Sequence, residues 1–232
     1  VDGVQNASPI LIRGVIYPAE SGSLEYISQI AVTSKVSGTI TAYSGTGNYS
    51  AGAAIMRMTS DALDRGQMAR AVEAILAARH IYIVGVRSSA ALANYLNFYF
   101  RNIFDNVRLV SSTATSEMFE QLLRVGPGDV VIGFSLPRYS SRTVKVMQYA
   151  HDTGATCIAI TDKPDAPAGK VADHVLVAKS DMVSVVDSLV APMSVVNALI
   201  VSLAQEQQTQ MTKTFEDLEN LWDEYDVYER VE

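Results

Sequence analysis

The chain contains a single cysteine, Cys157, among its 232 residues. With no second thiol to pair with, an internal disulfide framework is excluded, and so is a cysteine-rich zinc site. Cys157 lies in the apolar run Thr156–Ile160, which marks it as a small buried hydrophobe rather than a reactive thiol. No metal centre and no cofactor are expected. Long uninterrupted apolar runs are also missing. The most apolar stretch, Val183–Ala204, is broken by Asp187, Pro192 and Asn197, so it reads as a buried helix and not a membrane span. No basic-plus-apolar signal segment opens the chain, and the expected location is the cytoplasm. A surplus of positive charge is absent as well. The formal net charge is −7, which leaves no global basic footprint for nucleic acid.

Hydrophobic residues make up 48% and charged residues 19%, a globular balance with enough apolar material for a real core. The negative charge is concentrated at one end. From Glu206 onward nine acidic residues face only Lys213 and Arg230, a local balance of −7, so the remainder is neutral. A local DNA-binding surface is therefore compatible with the total.

Between Asp61 and Ala204 the pattern alternates between helix and strand. Asp61–Ala78 carries Leu63, Met68, Ala71, Ile75 and Leu76 at helical spacing. His80–Val86, Val107–Val110, Asp129–Phe134, Thr156–Thr161 and His174–Ala178 are short apolar runs, the mark of strands buried on both faces. Helical patterns at Ser89–Ile103, Ser116–Arg124 and Ser141–Thr153 separate the earlier ones. Such alternation predicts an α/β fold, a flavodoxin-like three-layer sandwich around a five-stranded parallel sheet. Beyond it, Phe215–Tyr228 places Phe215, Leu218, Leu221, Trp222 and Tyr225 on one stripe, which predicts an amphipathic helix packed on the domain or on another subunit.

Ligands of open parallel sheets bind beyond the carboxyl ends of the strands, where the strand order reverses. Two serine-bearing loops stand at such ends, Gly85-Val86-Arg87-Ser88-Ser89 and Ser135-Leu136-Pro137-Arg138-Tyr139-Ser140-Ser141. Each leads into a helix, whose N-terminal amides suit a phosphate. Ser88, Ser89, Ser135 and Ser140 can donate to and accept from sugar hydroxyls, and Arg87 and Arg138 can add charge-assisted bonds. The alternative is that these serines merely cap their helices.

The stretches IYIVGVRSSAALA, GDVVIGFSLPRYSSRTV, GATCIAITDKPDAPAGKVADHVLVA and DSLVAPMSVVNALI occur in this order and resemble a SIS (sugar isomerase) domain, in particular that of RpiR/MurR-type bacterial transcriptional regulators. The resemblance implies an effector that is a phosphorylated sugar or amino sugar, held by Ser88, Ser89, Ser135 and Ser140. Many SIS proteins read Ser-x-Ser-Gly-x-Thr in the second loop. Here Pro137 and Arg138 replace the second Ser and the Gly. The resemblance also implies a homodimer or homotetramer and an N-terminal helix-turn-helix domain. Leu24–Ala51 fits that frame, with Ile27, Ile30 and Ala31 on its first helix and Lys35, Ser37 and Thr39 as candidate DNA contacts. Cations are few there, since Arg13 and Lys35 face Asp2, Glu20 and Glu25 up to Ser50, and few cations mean few phosphate contacts. A β-prone or irregular segment packed on the core is the competing reading. The expected divisions are residues 1–55, a SIS domain over 56–205 and an acidic C-terminal helix over 206–232.

An isomerase is the second functional reading. It needs a base and an acid to move a proton between adjacent carbons, and the candidates are Glu117, Glu120, His151 and His174. No paired His and Glu sits in the serine loops, so binding without catalysis is expected. A SIS-only binding module without DNA contacts is the third reading.

Overall fold

The computed structural model describes residues 55–112, 114–180 and 188–228, together with two dipeptides near the start. These are β1 (Leu11–Ile12) and β2 (Val32–Thr33), which pair antiparallel. Apart from Val32 and Thr33, the helix-turn-helix frame at Leu24–Ala51 lies outside the described residues, as do its candidate contacts Lys35, Ser37 and Thr39.

The central sheet has five parallel strands in the order β4-β3-β5-β6-β7. They are β3 (Ile81–Gly85), β4 (Val107–Val110), β5 (Val130–Phe134), β6 (Thr156–Thr161) and β7 (His174–Val177). Counted within the sheet this is 2-1-3-4-5, the flavodoxin-like order. Side chains alternate between the two faces. Ile81, Ile83, Ile132, Phe134, Ile158 and Ile160 join one buried cluster, and Tyr82, Val84, Val131, Cys157 and Ala159 join another. Helices α2 (Arg65–Leu76), α3 (Ser89–Ile103) and α6 (Val190–Glu206) cover the first face. Helices α4 (Thr115–Gln121) and α5 (Ser141–Asp152) cover the second. A sheet apolar on both faces needs both layers, which is why its strands read as continuous apolar runs.

The structure departs from the sequence reading at several helix ends. Asp61–Ala78 is not one helix. Residues 55–62 form α1, and α2 begins after Asp64, whose carboxylate accepts from the amides of Gly66 and Gln67. A capping aspartate starts a new helix within an otherwise continuous periodic pattern. The acidic helix α7 spans Gln208–Glu224, beginning earlier than its aromatic stripe suggests, and none of its residues is buried. Helix α6 starts at Val190, with Pro192 in its first turn, where no intrahelical amide is required. Cys157 is buried and its thiol donates to the Met147 carbonyl. Burial, with the charges of Asp173 and Asp152, pushes that thiol up to about 12.

The helix that precedes the sheet is fastened at one particular end of it. Ile55 and Met56 of α1 pack on Ala191, and the buried Thr59 hydroxyl accepts from the amide of Lys179, just past β7.

Candidate functional site

Strand order reverses between β3 and β5, the two strands that carry the serine loops at their carboxyl ends. The loops meet there around a cleft of about 430 Å³. Its walls hold Arg87, Ser88, Ser89, Ser135, Arg138 and Ser140, every phosphosugar position named from the sequence. Val86, Phe134, Leu136 and Pro137 add apolar surface.

Two features distinguish these serines from ordinary caps. Ser88 and Ser140 stand at the N-cap positions of α3 and α5, yet neither hydroxyl makes a capping hydrogen bond to its helix. Ser135 is 1% exposed, and its hydroxyl has no hydrogen-bond partner among the described residues. A buried hydroxyl without a partner costs about 1–3 kcal/mol, and Ser135 is among the residues that line the cleft. The first turns of α3 and α5 hold no acidic residue, so both positive helix ends face the cleft uncompensated.

Each loop also holds an arginine in the left-handed region, Arg87 at φ 58° and Arg138 at φ 66°. For a residue with a Cβ this conformation costs roughly 1–2 kcal/mol, and such strain gathers at ligand-binding loops. Gly85 is fixed by close approach instead. A Cβ there would sit 2.7 Å from the Ser89 carbonyl oxygen, so only glycine lets α3 begin this close to the strand end.

Sequence reasoning did not find the support beneath the second loop. Thr161, at the end of β6, donates to the Ser135 carbonyl at 2.6 Å. The Tyr139 hydroxyl donates to both Asp162 oxygens, at 2.9 and 3.1 Å. Thr143, fully buried in the first turn of α5, carries a second hydroxyl without a partner among the described residues. The available signal was the position of Thr161-Asp162 at another strand carboxyl end, beside the switch point.

The acid–base candidates lie elsewhere. His174 opens β7, and His151 closes α5 within 3.9 Å of Asp173, which precedes that strand. Both are thus at the strand-start end of the sheet, across five-residue strands that span roughly 16 Å. Glu117 and Glu120 are exposed on α4 and absent from the cleft wall, and Glu117 accepts from Ser112. Among the described residues no cluster of His, Cys, Asp or Glu could hold a metal ion. No described helix is long and apolar enough to cross a membrane.

This geometry agrees with three comparisons. A Haemophilus influenzae protein named as an uncharacterized HTH-type transcriptional regulator is 31% identical over 123 residues, 53% of this chain and 42% of its own length. A second such regulator, from Caldanaerobacter subterraneus, is 25% identical over 67% of this chain and 56% of its own length. The chain thus spans about half the length of these curated relatives. Among solved structures, the sugar isomerase domain of an RpiR transcription factor from Sphaerobacter thermophilus superposes with a TM-score of 0.72 at 26% identity. It covers 76% of this chain and 98% of that one. The Vibrio vulnificus NanR protein complexed with ManNAc-6P has the same fold, with a TM-score of 0.66 at 20% identity, over 78% of this chain and 72% of its own. The SIS domain model matches residues 74–202, more than half of the sequence, and the chain belongs to the SIS domain family.

Proposed function

We propose that the cleft binds a phosphorylated sugar as an effector and that the protein is a phosphosugar-sensing transcriptional regulator of RpiR type. The observation that carries the binding reading is the cleft itself, where the serine loops leading into the two helices meet at the reversal of strand order and where Ser135 holds a buried hydroxyl without a partner among the described residues. An anion with several acceptor oxygens suits the loop hydroxyls and the helix amides together. The NanR neighbour, described in complex with ManNAc-6P, supports this ligand class. The regulatory reading is supported by the relatives named as HTH-type regulators. Binding without turnover is the reading favoured here, since the described residues of the cleft wall offer hydroxyls and guanidinium groups and include no histidine or carboxylate.

A thermal-shift panel of sugar phosphates tests the site. Stabilisation by a phosphorylated sugar and not by its dephosphorylated form is expected, and Ser135→Ala and Ser140→Ala should abolish it. Conversion of the stabilising sugar phosphate to an isomer would replace this reading with the isomerase one. A gel shift at low salt with the upstream DNA of its own gene tests regulation. No retardation at any salt leaves a binding module without DNA contacts. Self-association belongs to the same proposal. Phe215 and Leu221 stay exposed on α7, and light scattering should return a dimer or tetramer mass.

A further inference from the structure

The loop Ser135–Ser140 is held at two points by Thr161, the last residue of β6, and by Asp162, which follows it. At its start, the Ser135 amide donates to the Ile160 carbonyl at 3.1 Å, and the Ser135 carbonyl accepts from the Thr161 hydroxyl at 2.6 Å. Near its end, the Tyr139 hydroxyl bonds both oxygens of Asp162. The Thr161 hydroxyl also lies 3.3 Å from Asp162 Oδ1, so the two anchors are joined. Between them sits Arg138 at φ 66°, a conformation that a free loop would not keep. None of Tyr139, Thr161 and Asp162 is part of the cleft wall, whereas their neighbours Ser135, Arg138 and Ser140 are.

We propose that Thr161 and Asp162 are positioning residues that clamp the Ser135–Ser140 loop at both ends, in the shape that presents its serine hydroxyls to a phosphate group. The ligand half of this inference rests on the phosphosugar reading of the cleft. Thr161 is itself anchored, since its carbonyl accepts from the amide of Ala178, just past the end of β7, at 2.7 Å. The clamp therefore refers the loop to the sheet and not to a mobile surface. Tyr139 suits the role because its phenol is a donor throughout the neutral range, and burial, then Asp162, push that hydroxyl up further, to about 12. A tyrosine serving only to pack would need its ring and not its oxygen. Here the oxygen makes the tie, and the residue after it is Ser140.

The test uses the full chain carrying Tyr139→Phe, Asp162→Ala or Asp162→Asn. Two quantities are measured: backbone amide exchange of Leu136 and of residues 138–140 without ligand, and calorimetric affinity for glucose 6-phosphate and for inorganic phosphate. Tyr139→Phe and Asp162→Ala should speed loop exchange and weaken phosphate binding about tenfold each, the scale of one hydrogen bond. Exchange in β3 and β6 should stay as in wild type. Asp162→Asn keeps an acceptor oxygen and should recover most of both losses. Wild-type exchange and affinity in Tyr139→Phe and Asp162→Ala overturn the clamp. Faster exchange with unchanged affinity overturns its role in binding. A wild-type chain that binds neither probe overturns the phosphate reading, and the exchange measurement still decides the clamp.

Discussion

The Thr59 hydroxyl accepts the amide hydrogen of Lys179 at 3.0 Å and donates its own to the Ile55 carbonyl at 2.8 Å. One buried side chain therefore ties α1 to the carboxyl end of β7, the same end of the sheet that holds the cleft. Thr59→Val keeps the volume and deletes both bonds, leaving the Lys179 amide without its acceptor. A loss of about 1–3 kcal/mol is expected in urea denaturation, with Thr59→Ser recovering most of it. A valine variant as stable as wild type would show that water replaces the hydroxyl.

Arg87 separates strain from binding. At φ 58° it occupies a conformation that glycine adopts freely. Arg87→Gly should leave stability within about 1 kcal/mol of wild type, or raise it. The same change removes a cation from the cleft wall and should weaken sugar-phosphate binding by about tenfold or more, the scale of a charge-assisted bond. Equal affinity in calorimetry would remove Arg87 from the site.

Two glycines should respond differently to alanine. At Gly133 a Cβ would meet the Met147 side chain, with Sδ at 2.1 Å, whereas at Gly85 it would meet the backbone carbonyl of Ser89 at 2.7 Å. Overpacking costs roughly 1–3 kcal/mol in either place. Shortening the obstructing side chain should offset part of the first cost, so Gly133→Ala and Met147→Ala should combine less than additively by about 1 kcal/mol or more. Gly85→Ala has no such remedy and should also disturb ligand binding, because Ser88 and Ser89 must move. Strict additivity in the first pair would mean that Met147 adapts without cost.

The strand-start end of the sheet predicts an acid limit. Asp129 is 1% exposed and accepts from Arg79 at 2.9 and 2.8 Å, from the Gly126 amide at 3.0 Å, and pairs with His80 at 3.1 Å. Burial opposes its ionisation, but the bonds from Arg79, His80 and Gly126 outweigh it and hold the carboxyl below its ordinary value. Stability from this lowered group is complete above the unfolded value of about 4 and disappears as pH falls through the folded value. Asp129→Asn should lower stability at neutral pH and flatten the acid limb of the stability curve. An unchanged acid limb would assign that limb to other carboxylates.

The sheet could be read from the sequence because parallel strands covered on both faces leave uninterrupted apolar runs, and Thr156–Thr161 coincides with β6. The cleft residues were legible for a related reason. Strand ends name the loops, and both loops carry serines. The clamp was not. Tyr139 and Asp162 are 23 positions apart, and only the pairing of Phe134 with Ile160 brings Ser135 beside Thr161. Register is set by packing of the whole sheet and leaves no local spacing to read. The break at Asp64 escaped for the opposite reason, since its cap lies inside a periodic apolar pattern that continues across it.

A parallel sheet sorts its side chains by end, and here all three histidines, His80, His151 and His174, stand at the strand starts. Histidine is the side chain that changes charge across the neutral range. The described cleft wall holds none. A phosphate monoester loses its second proton at about 6. Under the phosphosugar proposal, acidification should therefore alter occupancy chiefly through protonation of the phosphate group, so that the cleft follows the amount of dianion.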